Sequence, residues 1–215
     1  MNIVELVSEL IENSVGSIDV QTDEKVYSPS EDSYLLLDSM KISKGDFVLD
    51  MGTGTGILAM QAVILGASKV VAIDINPFAS RCAMKNVLSK GFGTKISILT
   101  GDLFSLLRAT SVFDIILFNP PYLRTAESEY TSGWLEKSWA GGRNGRVVID
   151  RFIEKLPTHL RSDGIVFMLQ PSNVLSATIR KLRQMKMSAS VVARRKLFFE
   201  ELLVLSVKHS RAKSG

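Results

Sequence analysis

Four consecutive residues near the middle of the chain suit the binding of a planar NH2 group: Asn119, Pro120, Pro121 and Tyr122. They follow an apolar run, Phe113 to Phe118, that is typical of a buried strand. Proline has no N–H for a sheet ladder and fixes its own φ angle, so the chain must leave the sheet in a stiff conformation. The Asn119 amide and the Pro120 carbonyl can then accept two N–H groups while the Tyr122 ring stacks on their plane.

A glycine-rich turn, Asp50 to Gly56, follows an earlier apolar run and precedes a helical pattern. Glycine allows backbone to approach a ligand closely and to adopt φ values that other residues avoid. A dinucleotide fingerprint requires glycine or alanine at the next position, but Ile57 is there. Asp50 directly precedes Met51 and Gly52, where a carboxylate would repel a pyrophosphate and attract a cation. The turn, including Gly52 and Gly54, therefore favours a ligand with a positively charged part.

Two further carboxylates, Asp74 and Asp102, end or follow the next two apolar runs. Asp74 is placed to accept both hydroxyls of a ribose, and Asp102 to accept from the exocyclic amine of adenine. Either aspartate alone could be a helix cap. Because Asp50, Asp74 and Asp102 follow three successive strands, they are expected at one edge of a sheet. Together they predict a site for a nucleoside with an ammonium group and no phosphates, and S-adenosylmethionine matches that description.

The elements that must position these residues alternate between strand and helix patterns, which predicts a mostly parallel sheet with helices on both faces. A helix is expected at Glu31 to Met40, before the first strand. Strands are expected at 46–50, 70–74, 96–99, 113–118 and 165–169, and helices near 57–66, 77–90, 145–160 and 173–186. The runs 188–193 and 202–207 have no helix between them, so they predict a terminal hairpin and a total of seven strands.

Composition fits one globular domain and excludes several classes of protein. The chain has 215 residues, of which 46% are hydrophobic, which suffices for a full core. The single cysteine, Cys82, excludes an internal disulfide and indicates a reducing compartment. The sequence has no apolar run of about 18 residues, so no membrane span is expected. Its acidic N-terminal residues are atypical of a signal peptide. These features predict a cytoplasmic protein.

Charge is distributed unevenly along the chain. Residues 1–110 carry 9 basic and 13 acidic side chains, whereas residues 111–215 carry 17 basic and 9 acidic ones. A basic half can attract nucleic acid or an acidic protein surface, although solvated helix faces and a basic tail explain it equally. We divide the domain into an N-terminal helical and cofactor-covering segment at 1–45, a catalytic core at 46–208 and a basic tail at 209–215.

The sequence resembles class I S-adenosylmethionine-dependent methyltransferases, and more narrowly the HemK-related glutamine N5-methyltransferases of translation release factors. It is most similar to their eukaryotic and archaeal branch. Four motifs carry the resemblance, which spans roughly residues 20 to 208: Tyr27–Ser33 with Leu35–Leu37, Asp50–Gly56, Asn119–Tyr122, and Trp139–Arg146 running into Ile149–Phe152. The first and last of these motifs are specific to the branch.

The resemblance implies a seven-stranded methyltransferase sheet, an α/β fold whose last strand is antiparallel. It also implies a set of residues that line the cofactor pocket: Ser33, Asp50, Gly52, Gly54, Asp74, Asp102, Leu103 and Asn119. Within this set Ser33 would contact the methionine carboxylate, and Asp102 and Leu103 would hold adenine. Asn119, Pro120 and Tyr122 would be the catalytic residues, and the substrate would contact these three and Pro121. No metal and no strong general base is expected, because His159 and His209 lie outside the motifs.

The stretch from Leu123 to Gly145 is too long and too aromatic for a plain connection, and long loops in compact domains are usually functional. It contains Tyr130, Trp134 and Trp139, so we expect it to cover the site and to support the acceptor beside Tyr122. Its arginines, Arg143 and Arg146, are expected to brace the loop rather than to contact substrate.

Alternatives remain open for the acceptor. The same four residues can serve the N6 amine of adenine, also a planar NH2, but the chain has no room for the target-recognition region common in DNA adenine methyltransferases. RNA substrates, a lysine acceptor and a non-catalytic binding module are further alternatives. The resemblance also implies a small zinc-binding activator protein, for which the apolar edge strand Ile96 to Leu99 is the expected pairing site.

Overall fold

A computed structural model describes residues 18–110, 112–125, 133–198 and 200–210. Tyr130, residues 1–17 of the N-terminal segment and residues 211–215 of the predicted tail lie outside the described residues. Within these ranges, no helix is both long and apolar enough to span a membrane.

The described residues form a sheet of seven strands in the order β3-β2-β1-β4-β5-β7-β6. Strands β1 to β5 are parallel to their neighbours within that group. The strands are β1 Phe47–Met51, β2 Lys69–Asp74, β3 Ile96–Thr100, β4 Phe113–Phe118, β5 Leu160–Pro171, β6 Met187–Lys196 and β7 Glu201–His209. The order reverses between β1 and β4, and open α/β sheets bind ligands at the carboxyl ends of strands beside such a reversal.

The predicted terminal hairpin and the antiparallel last strand are confirmed. Strand β7 lies between β5 and β6 and is antiparallel to both. Strand β5 begins earlier than its apolar run, because Leu160 pairs with Phe113 before the register shifts to Ile115 and Ile165. The intervening residues 161–163 are polar and exposed, so an apolar pattern could not reveal this extension.

Helices lie on both faces of the sheet, as the alternation predicts. They are α1 Glu31–Ser39, α2 Ile57–Leu65, α3 Pro77–Ser89, the single turn α4 Trp134–Lys137, α5 Val147–Lys155 and α6 Leu175–Gln184. Local sequence sets their ends. Helix α2 lies between Gly56 and Gly66, which have φ values of +86° and +118°, and α3 begins with Pro77 after an Asn76 cap that accepts from the Phe78 N–H.

Two apolar clusters form the core, one on each face of the sheet. The first joins α1 and α2 to the sheet through residues such as Leu36 and Met60, and the second joins α5 through Phe152 and Ile153. Phe118, the last residue of β4, is 2% exposed and its ring lies 4.3 Å from that of Phe152. The residue that precedes the proline-rich turn is therefore fixed by the core.

Candidate active site

A cavity of about 400 Å³ lies at the carboxyl ends of β1, β2 and β4. We call its two parts the glycine-turn half, lined by Gly52–Thr55, Asp74, Asp102 and Leu103, and the proline-turn half, lined by Asn119–Tyr122 with Asp32 and Ser33. The structure thus brings together on one wall the predicted site residues Ser33, Gly52, Gly54, Asp74, Asp102, Leu103, Asn119, Pro120, Pro121 and Tyr122. Asp50 is fully buried behind this wall.

In the glycine-turn half, backbone N–H groups hold a carboxylate in place. Gly52 and Gly54 have φ values of +70° and +55°, which favour glycine. The Gly54 N–H donates to Asp74 Oδ2 at 2.9 Å, and the Asn76 N–H donates to Asp74 Oδ1 at 2.8 Å. Each oxygen retains a further acceptor site, so Asp74 can still accept the two hydroxyls of a ribose. Burial raises the pKa of Asp74, and these two N–H groups oppose that rise.

Asp50 is a buried carboxylate with one unpaired oxygen. The Thr53 hydroxyl donates to Asp50 Oδ2 at 2.6 Å, whereas Asp50 Oδ1 has no hydrogen-bond partner among the described residues. Burial raises the pKa of Asp50 to about 7, and the nearby charge of Asp74 adds to the rise. A cationic group on the cavity wall would stabilise both carboxylates. These two carboxylates, as hydrogen-bond acceptors, therefore fit the ammonium and the ribose hydroxyls of S-adenosylmethionine.

Asp102 and Leu103 close the far end of the glycine-turn half. Arg151 from α5 donates to Asp102 Oδ2 at 2.5 Å, and the Asp102 side chain remains 40% exposed. Leu103 has a φ of +48°, a left-handed conformation that is uncommon for a branched residue. This backbone turns Leu103 into the cavity wall beside Asp102. The second carboxylate oxygen of Asp102 is free to accept from another donor.

In the proline-turn half, Asp32 sets the orientation of the Asn119 amide. Asn119 Nδ2 donates to Asp32 Oδ2 at 3.2 Å, and because a carboxylate can only accept, the amide nitrogen must face Asp32. Asn119 Oδ1 is then turned away, and it is buried without a hydrogen-bond partner in the described part of the chain. An unpaired buried acceptor costs free energy unless a ligand donates to it. The structure thus presents one amide oxygen that lacks a donor.

Asp32 is held in turn by three donors. The Tyr27 hydroxyl donates to Asp32 Oδ2 at 3.2 Å, and the Ser33 N–H and hydroxyl donate to Asp32 Oδ1 at 2.6 and 3.2 Å. The sequence analysis missed Asp32 and Tyr27 as site residues, although both lie in the Tyr27–Ser33 motif. An acidic residue in the first turn of a helix ordinarily complements the helix dipole, and nothing in the pattern of α1 indicated a second role for Asp32.

Tyr122 and Tyr27 are neutral phenols in this environment. Burial raises the pKa of Tyr122 far above its ordinary value, and the charges of Asp32 and Glu200 raise it further. Burial also raises the pKa of Tyr27 to about 12, followed by the charge of Asp32. Neither phenol can act as a base near neutral pH. Glu200, which precedes β7, is a second carboxylate near Tyr122 that the sequence analysis missed.

The segment after Tyr122 is fastened to the turn that precedes α5. The Leu123 N–H donates to the Trp139 carbonyl at 2.9 Å, and the Gly141 N–H donates back to the Leu123 carbonyl at 2.8 Å. A side chain at Gly145 would collide with the Tyr122 carbonyl, so glycine is required there. Trp139 and Trp134 both line the cavity. The described part of this loop therefore lies beside Tyr122 and the cavity, while residues 126–132 lie outside the described residues.

Arg146 fixes this loop to the body of the protein. Its side chain is 8% exposed, and it donates to the Val174 carbonyl at 3.2 Å and to the Thr178 hydroxyl at 2.6 Å. It also pairs with Asp150 one turn along α5. The expected bracing role is confirmed for Arg146, whereas Arg143 is exposed and has no ion pair among the described residues.

The remaining candidates for chemistry lie away from the cavity wall. The His159 ring stacks on Phe104 at 4.3 Å, and His209 contacts the Leu160 carbonyl. Cys82 is a buried free thiol that packs with Val26 and Ala79. Within the described ranges, no group of three or more His, Cys, Asp or Glu side chains could hold a metal ion.

Comparison with known proteins places this fold and site in one class. A solved structure of the E. cuniculi Mtq2–Trm112 complex, responsible for methylation of the eRF1 translation termination factor, superposes with a TM-score of 0.68. It is 25% identical, and the match covers 86% of this chain and 99% of that one. The family model of ribosomal protein L11 methyltransferase (PrmA) matches residues 33–120. The chain is a class I methyltransferase.

Two relatives define the family more closely. A Methanocaldococcus jannaschii protein, provisionally named a protein N5-glutamine methyltransferase, is 40% identical over 193 residues, which are 89% of this chain and 96% of that protein. The human methyltransferase HEMK2 is 34% identical over 152 residues, which are 67% of this chain and 71% of HEMK2. The chain belongs to the protein N5-glutamine methyltransferase family.

Proposed function

We propose that this enzyme transfers a methyl group from S-adenosylmethionine to the N5 nitrogen of the glutamine in the Gly-Gly-Gln loop of a class 1 peptide chain release factor. The observation that carries the proposal is the buried Asn119 Oδ1, which lies beside a stiff proline turn and has no hydrogen-bond partner among the described residues. The functions attached to the related proteins support the choice of a glutamine on a termination factor.

We assign the cofactor to the glycine-turn half of the cavity. When bound, S-adenosylmethionine supplies an electrophilic methyl group on a positively charged sulfur, and S-adenosylhomocysteine would be the leaving group and product. Ser33 would contact the methionine carboxylate from the neighbouring proline-turn half. Asp50 would attract the ammonium from behind the glycine turn, and Asp74 would accept from the ribose. Gly52 and Gly54 keep the wall free of side chains, and Asp102 and Leu103 would hold the adenine. The cavity volume of about 400 Å³ is within the usual range for a small-molecule site.

We assign the acceptor to the proline-turn half. An amide nitrogen is a poor nucleophile because its lone pair is delocalised into the carbonyl group. Asn119 Oδ1 and the Pro120 carbonyl would accept the two N–H groups of the substrate amide and stabilise positive charge that develops on nitrogen. Tyr122 would stack on the amide plane. Holding the amide in this orientation supplies much of the remaining acceleration.

Asp32 prepares the site before the substrate arrives. Its carboxylate fixes Asn119 Nδ2 at 3.2 Å, so Asn119 Oδ1 needs no reorientation during the reaction. The negative charge of Asp32 also favours positive charge on the substrate nitrogen. The proton can leave that nitrogen after methyl transfer, so no strong general base is required, and the neutral Tyr122 provides none.

An incubation with labelled S-adenosylmethionine tests this proposal. The acceptors are a purified release factor, its Gln→Ala loop variant, bulk tRNA and DNA. We expect label on the release factor and none on the Gln→Ala variant. Label on nucleic acid, with none on the release factor, would agree with methyl transfer to a planar NH2 group but would contradict the proposed substrate.

We also propose that a small zinc-binding activator protein extends the sheet at β3. This strand is at the edge of the sheet, and exposed edges are usually covered or paired. Leu88, on the neighbouring helix α3, is 61% exposed and Met84 is 38% exposed, which adds apolar surface beside that edge. The Mtq2 structure was solved as a complex with Trm112, which supports a partner of this kind.

Co-expression with a candidate activator tests the second proposal. We expect a stable complex with higher activity than the isolated chain, and we expect Leu88→Asp to weaken it. Val192→Asp, at a 48% exposed position on the opposite edge strand β6, is the matched control. An isolated chain that is stable and fully active would contradict the need for an activator.

A further inference from the structure

The tip of the β6–β7 hairpin lies beside the residues of the proline-turn half. The Leu197 N–H donates to the Glu200 carbonyl at 2.8 Å, which joins the two sides of the hairpin at this end. Arg195, at the end of β6, lies 3.2 Å from the Glu31 carboxylate and also donates to the Glu31 carbonyl. Glu31 begins α1, the helix that carries Asp32. These contacts fix the base of the tip against the helix that orients Asn119.

The pKa shifts of Glu200 and Tyr122 agree with this placement of the hairpin. Burial raises the pKa of the Glu200 carboxyl, and the negative charge of Asp32 raises it further. The charge of Glu200 also contributes to the raised pKa of Tyr122. These directions agree with the contact between Arg195 and Glu31, which holds the hairpin against the helix that carries Asp32.

The tip exposes a large aromatic side chain at this position. Phe198 is 92% exposed, more than any other large apolar side chain in the described part of the chain. Leu123, which follows Tyr122 directly and lines the cavity, is 44% exposed. Most of the Phe198 surface is accessible to another protein, and aromatic side chains often dominate the binding energy of protein interfaces.

We propose that Phe198 and Leu123 form an apolar rim on which the folded substrate protein docks while its glutamine enters the cavity. The proposal rests on the proposed function above and adds a docking surface to it. Asn119 is only partly exposed at the end of β4, and a glutamine side chain is short. The protein surface around the glutamine must therefore come against the chain that surrounds the cavity, and we infer that an apolar patch of the substrate domain contacts Phe198 there.

Steady-state kinetics of Phe198→Ala test the rim with two substrates: the intact release factor and a short peptide that spans its glutamine loop. We expect the KM for the intact protein to rise about tenfold, as for a typical interface hot spot. We expect kcat, the KM for the peptide and the affinity for S-adenosylmethionine to stay within about twofold, because the reacting groups are untouched. Phe198→Leu should retain most of the wild-type KM for the intact protein.

Val192→Ala is the matched control, since Val192 is 48% exposed on β6 of the same hairpin and lies away from the tip. Its kinetic constants should equal those of the wild type, and both alanine variants should keep the wild-type melting temperature. An unchanged KM of Phe198→Ala for the intact protein would overturn the rim and leave the proposed function intact. A wild-type enzyme that does not methylate release factor would overturn both.

Discussion

The glycine-turn half of the cavity is built from the ends of neighbouring strands, whereas the proline-turn half combines segments that are far apart in the chain. Asp50, Asp74 and Asp102 lie at or just after the ends of β1, β2 and β3, and the hydrogen-bond partners of Asp50 and Asp74 lie no more than 20 residues away. The Asn119 amide instead depends on Asp32, which is 87 residues away. The sheet therefore sets the geometry of the glycine-turn half. The geometry of the proline-turn half depends also on how α1 and the loop before α5 pack against the sheet. Substitutions in the glycine-turn half should therefore lower mainly the affinity for S-adenosylmethionine. Substitutions in the proline-turn half should lower mainly kcat.

The largest expected effect is that of Asn119→Ala, which removes the unpaired acceptor. We expect kcat to fall by about a thousandfold or more, because a preorganised hydrogen-bond partner of the transition state is lost. Affinity for S-adenosylmethionine should stay within about tenfold of the wild type, since the residues of the glycine-turn half are untouched. Initial rates and equilibrium titration measure the two effects. Wild-type-like turnover would contradict the role of Asn119.

A smaller loss of kcat is expected for Asp32→Asn, which changes the residue that orients the Asn119 amide. The new amide can turn its NH2 group towards Asn119, so the fixed orientation of Asn119 is lost. We expect kcat to fall by about a hundredfold, comparable to the effect of weakening an oriented site group. Asp38→Asn, in the last turn of the same helix and 40% exposed, is the control and should leave kcat unchanged. Equal kinetic constants for the two variants would contradict the proposed role of Asp32 in orienting Asn119.

Asp50→Asn should act on the other half and produce the opposite pattern. We expect affinity for S-adenosylmethionine to fall about tenfold or more, as for a lost charge partner, with little change in kcat at saturation. In the wild type this affinity should rise as pH increases through about 7, the pKa of Asp50, because the carboxylate must be ionised to attract the ammonium. A pH profile that is identical for wild type and variant would contradict this assignment.

The same substitution has a predicted effect on the stability of the ligand-free protein. The pKa of Asp50 is raised from 3.8 to about 7 in the folded state. The folded state therefore binds more protons than the unfolded state between these values, and the contribution of Asp50 to stability is lost as pH rises through that window. Asp50→Asn should gain stability relative to wild type as pH increases from about 4 to about 8. Denaturant unfolding at several pH values measures this, and a constant difference would count against it.

Among the variants that are expected to lower kcat, Arg146→Ala should have the smallest effect, and it loosens the loop behind Tyr122. Its loss leaves the Thr178 hydroxyl and Val174 carbonyl without their charged donor, and we expect a destabilisation of about 2 kcal/mol. We expect kcat to fall about tenfold, as for a misplaced reactant, with cofactor affinity nearly unchanged. Arg143→Ala changes an exposed arginine three positions earlier in the same loop and should match the wild type. A loss of cofactor affinity larger than the loss of kcat would break the proposed division between the halves.

Much of the fold and of the glycine-turn half could be predicted from the sequence, because both depend on local patterns. Apolar runs mark β1 to β4, and a polar residue after each run marks the ligand edge. Asp32 and Glu200 could not be found in this way, since a carboxylate in a first helical turn or beside a hairpin has an ordinary surface role. Only the docking of α1 and of the β6–β7 hairpin brings these side chains next to Asn119 and Tyr122.

The sequence predicts the positions of individual site residues better than it predicts their partners. Asp74 and Asn119 line the cavity, as expected. Residue types alone could not show that one oxygen of Asp50 and one of Asn119 have no hydrogen-bond partner among the described residues. Asp102 also lies on the wall, but its ion pair with Arg151 depends on a helix 49 residues further along the chain. Sequence patterns locate such groups at a sheet edge and do not give their partners.

The central claim is that the proline-turn half presents Asn119 Oδ1 to the NH2 group of a substrate glutamine. Fragmentation mass spectrometry of a release factor treated with wild-type enzyme or with Asn119→Ala tests it most directly. We predict one methyl group on the side-chain nitrogen of the loop glutamine with the wild type, and none with the variant although it still binds S-adenosylmethionine. A methyl group on another residue, or the same product from both enzymes, would contradict the account.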